Sequence, residues 1–200
     1  MKRTALLLVA AALASILAGC GPINSLQPLY TKEDKVFEGT LLGEWQPKSP
    51  ENDEDKKARW TFEKSGNEYF YTFCMTTIEK KGCLRAQARL VRLGGAIFVD
   101  FEGDTHDDEE ASKIESMPFP IISTHMIGRI WIEKDAVRIH MLEDSWVDKR
   151  IKEGKFALTY TTADGGTVLT AKTEDLRKFA QDRADDEEAF SGSFELVRAK

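Results

Sequence analysis

The sequence predicts a mainly β fold, an antiparallel barrel or sandwich with two short amphipathic helices, on three observations. Apolar and polar residues alternate through many short stretches, the period of half-buried strands. Brief turn signals separate those stretches at near-even spacing. Helical spacing occurs only twice and late, which disfavours a βαβ arrangement. The 200 residues suffice for one domain with one core. With 42% hydrophobic and 31% charged residues, a wholly disordered or multi-span membrane chain is excluded. A formal charge of -6 and a pI near 5.3 argue against nucleic acid as a partner, because phosphate backbones are held by clustered Lys and Arg.

The chain opens with Lys2 and Arg3, and Thr4 to Leu17 is almost wholly apolar. The run falls short of the roughly 20 residues that span a bilayer, so residues 1–19 read as a cleaved signal peptide. Leu17-Ala18-Gly19-Cys20 resembles the lipobox of bacterial lipoproteins. That resemblance implies diacylglycerol on the Cys20 sulfur, cleavage before Cys20 and a membrane as partner through the lipid anchor. Gly21, in place of Asp, implies the outer membrane of a bacterial cell envelope. Removal of Lys2 and Arg3 with no acidic residue leaves the exported part more acidic still. Several acyl chains on one Cys hold firmly, at about 0.8 kcal/mol per buried methylene.

Residues 20–35 read as the acylated Cys and a tether, because Gly21 to Lys35 carries Pro22 and Pro28 and little periodicity. The single β-rich domain is expected over residues 36–200. Its first strand follows Gly43-Glu44-Trp45. Alternation then runs through Trp60 and Phe62, and through Tyr69, Tyr71 and Phe73 against Phe70, Thr72 and Cys74. Leu84, Ala86, Ala88 and Leu90 make the next strand, and Gly94-Gly95 turns into Ala96 to Phe101. Lys134-Asp135 joins a hairpin of Ile127 to Glu133 and Ala136 to Leu142. Asp164-Gly165-Gly166 joins Phe156 to Thr161 with Thr167 to Thr170, and Phe194 to Arg198 is the last strand. Ser145 is the expected cap of a first helix that Gly154 stops. The second starts at Thr173, with Glu174 and Asp175 in its first turn and Leu176, Phe179 and Ala180 on one face.

Cys74 and Cys83 lie in an export compartment where disulfides persist. A turn at Lys80 to Gly82 sets Cys83 opposite Ile78, four residues from Cys74 and roughly 13 Å away. That exceeds the limit of about 7 Å between bridged Cα atoms. A turn centred nearer Ile78 and Glu79 permits the bridge, and both arrangements are open.

Gly43-Glu44-Trp45 after a short helical turn resembles the GxW motif of lipocalins and related small barrels. The resemblance implies that Trp45 seals the narrow end of a barrel with an Arg from a late strand stacked on it, here Arg198. Helices between late strands depart from that pattern. The lipobox, Leu26 to Tyr30, Gly43 to Trp45 and Leu169 to Ala171 are together similar to uncharacterised bacterial lipoproteins, a likeness that implies location and no activity.

Catalytic chemistry finds little support. His106, His125 and His140 form no H-E-x-x-H or His-x-His pair, so no metal site is expected. His125, after Ser123-Thr124, is the one candidate base, without a nucleophile elbow to serve. Asp100, Glu102, Asp104, His106, Asp107, Asp108, Glu109 and Glu110 crowd what reads as one connection. Counted from Asp104, Asp108 and Glu115 fall at Ca²⁺-ligand positions, but Glu109 stands where an EF-hand needs Gly. A solvated acidic loop is the expectation there, as for Asp182, Asp185, Asp186, Glu187 and Glu188. Aromatic residues on neighbouring strands either fill a barrel or line a cavity, with filling favoured. The expected protein is therefore a non-enzymatic envelope lipoprotein without cofactor. It binds a small apolar ligand or lipid, or else docks another envelope protein; a hydrolytic enzyme anchored on His125 is the least favoured reading.

Overall fold

Alternating side chains close a ring of eight antiparallel strands in a computed structural model, which describes residues 22–50, 55–66, 69–76, 83–103, 122–163 and 166–200. The ring strands are β2 (Gly43–Pro47), β3 (Arg59–Lys64), β4 (Phe70–Thr76), β5 (Cys83–Leu93), β6 (Ala96–Gly103), β7 (His125–Ile132), β8 (Ala136–Leu142) and β11 (Phe190–Arg198). Each from β2 to β8 pairs with the next, and β11 pairs with both β8 and β2. The expected fold class is present, as a closed barrel rather than a sandwich. Closure leaves no open edge in the ring.

Period-two alternation gives the barrel two apolar faces. Inward residues such as Trp45, Phe62, Tyr71, Phe73, Phe101, Ile130 and Ile139 pack in the interior. Outward residues of the same wall, including Val91, Phe98 and Ile127, join a second core. Its cover is the segment inserted between β8 and β11: α1 (Asp144–Lys152), β9 (Tyr160–Ala163), β10 (Gly166–Leu169) and α2 (Thr173–Asp182). Trp146, Val147, Leu169 and Leu176 are its buried contributions. A strand apolar on both faces needs such a second layer, and this explains the late helices.

The expected tether is part of the fold from Pro22 onward. Ile23 and Leu29 are buried in the second core. β1 (Asn24–Ser25) pairs antiparallel with the start of β7 and parallel with β10. β7 pairs with β8 only from Gly128, and Ile23 N–H donates to the Leu142 carbonyl at 3.0 Å. The N-terminal segment thus occupies the gap where β7 and β8 part. Two residues show no period, and their partners lie far along the chain, so the pairing left no local trace in the sequence.

Three smaller differences have physical causes. α1 starts at Asp144 after an extended Glu143, with Ser145 inside it, and no side chain caps it. Thr173 opens α2, but its hydroxyl donates to the Pro28 carbonyl at 2.8 Å, fastening the N-terminal segment. β9 begins only at Tyr160, because Phe156 is held in an aromatic group with Trp146 and Phe179.

Candidate functional site

The GxW residues shut one end of the barrel. Gly43 has φ 109°, a conformation L side chains rarely adopt, and a Cβ there would lie 2.9 Å from Arg198 Nη1. Trp45 is fully buried and its indole N–H donates to the Leu41 carbonyl at 2.8 Å, within the short 3₁₀ turn Gly39–Leu41. The Arg198 guanidinium stands 3.9 Å from the Trp45 ring centroid and donates to the carbonyls of Leu42 and Thr40. Below this plug, Tyr71 stacks on Phe37 with centroids 5.0 Å apart. Its hydroxyl accepts from Glu38 N–H and donates to the Glu38 carbonyl. Burial pushes the Tyr71 phenol up to about 12.

The other end is packed less fully among the described residues. There the interior packing leaves a cavity of about 240 Å³, lined by Pro22, Trp60, Phe73, Met75, Ala86, Phe101, Met126, Met141 and Phe194. Its accessible lining is wholly apolar. The expected filled interior is therefore found at the plugged end, not at the mouth. Three of the chain's five methionines contribute to the lining. Thioether side chains are unbranched and polarisable, and adapt to chains of varied shape. Leu84 and Phe194, at 44% and 39% exposure, place further apolar surface at this end. The sequence signal was available: Met126 shares the inward face of β7 with Ile130, and Met141 shares that of β8 with Ile139 and Val137. Pro22 had no such signal.

Cys74 and Cys83 are joined across the strands at this mouth, with Cα atoms 5.5 Å apart. Cys83 pairs with Thr76, two residues from Cys74, so the arrangement with Cys83 opposite Ile78 is not adopted. Residues 77–82 lie outside the described residues.

A second cluster sits on the outer wall beneath the N-terminal segment. Asp100 and Glu102 belong to β6 rather than to a loop, and Asp100 is fully buried. Asp100 Oδ1 lies 2.8 Å from His125 Nδ1, while Oδ2 accepts the Leu29 N–H at 2.6 Å. Tyr30 donates to Glu102 and meets the His125 ring edge-on, with Arg89 over its own face at 4.3 Å. Burial works against a charged His125, but the hydrogen bond and charge of Asp100, with Glu102 nearby, outweigh it and raise its pKa. A carboxylate that holds a histidine is half of a nucleophile-activating relay. Ser25 pairs with His125 in the β1–β7 register, yet its hydroxyl donates to the Gln27 carbonyl at 2.8 Å. The cluster thus fastens the N-terminal segment to the barrel wall.

The remaining candidates are dispersed. His140 packs edge-on against Trp131, and burial lowers its pKa. Asp182 ends α2, and Asp186 pairs with Arg183 and accepts the Ala189 N–H. Cys20, Asp104, His106, Asp107, Asp108, Glu109, Glu110 and Glu115 lie outside the described residues. Among the described residues no three His, Cys, Asp or Glu side chains gather as metal ligands, and no helix is long and apolar enough to cross a membrane. A surface groove of about 430 Å³ runs between Trp146, Phe156 and Phe179, edged by Lys155, Lys178, Asp175 and Asp182. No family model, curated protein or solved structure matches this chain.

Proposed function

We propose that this is a non-enzymatic lipoprotein of the bacterial envelope, anchored through Cys20, whose barrel takes up one apolar chain at the end away from Trp45. The observation that carries this reading is the wholly apolar cavity at one end of a barrel plugged at the other. At about 240 Å³ it falls just below the roughly 300 to 1,000 Å³ of sites that enclose drug-sized ligands. Its lining suits hydrocarbon and offers no polar group to orient a reacting one. The lipobox-like Leu17 to Cys20 supports the anchor. Titration of residues 20–200 carrying Cys20→Ser with cis-parinaric acid tests the cavity. Saturable fluorescence that fatty acid displaces is expected, and a linear, non-displaceable signal rejects it.

A second reading, a module that docks another envelope protein, draws on the groove of Trp146, Phe156 and Phe179. Aromatic side chains with charged neighbours are common in protein recognition surfaces.

A further inference from the structure

The N-terminal segment brings the proposed anchor and the cavity to the same place. Pro22 bridges Glu143 at the end of β8 and also lines the apolar cavity. Cys20 precedes it by two residues, so at most roughly 7 Å of backbone separates its Cα from that of Pro22. The segment cannot swing away, because Ile23 is tied to Leu142, β1 to β7 and β10, and Leu29 to Asp100. The chain that leads to the proposed anchor is therefore held at the cavity from Pro22 onward.

From this geometry we infer that the cavity's resident is one of the chain's own acyl groups, carried by Cys20 and folded back past Pro22 into the barrel. The inference rests on the proposed function, both on the acylation of Cys20 and on the cavity taking a single chain. A cavity of about 240 Å³ has room for part of one chain and none for a second, which leaves the others for the bilayer. An intramolecular chain meets the mouth at an effective concentration of the millimolar order, which a diffusing lipid must outcompete. Between membranes, the same seat keeps hydrocarbon out of water. Met75, Met126 and Met141 supply a lining that adapts to an acyl chain.

Methyl NMR decides the matter. The acylated protein, purified from membranes with ¹³C-methyl methionine, is placed in nanodiscs of perdeuterated phospholipid, so that only its own acyl chains carry protons. Cross-relaxation from the methyls of Met75, Met126 and Met141 to acyl methylenes is expected. Such contacts seen only with protonated lipid make a bilayer lipid the occupant and overturn the inference, and no contacts in either disc overturn it as well. The unacylated Cys20→Ser chain, which keeps every described residue, separates the two levels. If it binds cis-parinaric acid while the acylated protein shows no contacts, the cavity reading stands and the self-occupancy falls. Where self-occupancy holds, the acylated protein should bind that fatty acid about a hundredfold more weakly than the unacylated chain. Equal affinities overturn it. A mass spectrum showing Cys20 without acyl groups removes the anchor reading and the inference with it.

Discussion

Asp100 carries two polar contacts, and its burial makes them consequential. Both carboxylate oxygens are used, one by His125 and one by Leu29 N–H. The folded pKa of His125 is raised above the unfolded value of about 6.5. The folded state therefore holds its proton more tightly than the unfolded chain. Its stabilising contribution is complete below about pH 6.5 and is lost as pH rises through the folded pKa. The difference in unfolding free energy between the native chain and His125→Gln is expected to shrink as pH rises above about 6.5, measured by urea denaturation at each pH. Asp100→Asn keeps an acceptor for Leu29 N–H but removes the charge that offsets burial, so in that background the same difference should no longer shrink as pH rises. A pH-independent difference in the native background would refute the pairing. None of this was legible in the sequence, where Asp100 looked like one acid among seven in a solvated run with His106. Only the β6–β7 register, with Glu102 opposite His125, shows that Asp100 and His125 face the same side.

At the scale of elements, legibility followed periodicity. β8 was readable end to end from Ala136 to Leu142, and α2 from Thr173, because each carries enough residues for its period to declare itself. The GxW residues were equally legible, since Gly43 and Arg198 meet Trp45 through backbone conformation and ring contact that the motif itself encodes. The N-terminal segment failed that test. Its order comes from Thr173, Arg177 and Asp100, which lie 145, 148 and 71 residues from their partners Pro28 and Leu29. Leu29 separates a tether from a structural element in one measurement. It is fully buried among the residues of the outer core, so Leu29→Ala should cost about 2 to 5 kcal/mol of unfolding free energy. A loss below about 0.5 kcal/mol, the scale of an exposed substitution, would restore the tether.

At the scale of the whole molecule, the barrel wall serves two compartments that respond differently to added volume. The outer core is closed by helices and the N-terminal segment, and inserting atoms there should meet the cost of overpacking, about 1 to 3 kcal/mol. The interior is packed at the Trp45 end and hollow at the other, so one position inside the mouth should accept atoms that the rest of the core rejects. Ala86 is that position: it pairs with Phe73, and its side chain borders the cavity. Ala86→Leu enlarges a side chain into open space in a strand where branched residues fit well, so unfolding free energy should change by less than about 1 kcal/mol. The same substitution fills part of the space a hydrocarbon chain would occupy, and should weaken cis-parinaric acid binding by about tenfold, the equivalent of two lost methylene contacts at about 0.8 kcal/mol each. Stability and binding are thereby uncoupled at a single residue. A variant that binds as the native chain does would mean that the apolar opening is not the binding place, and a variant that unfolds readily would mean that the mouth is packed as tightly as the plugged end.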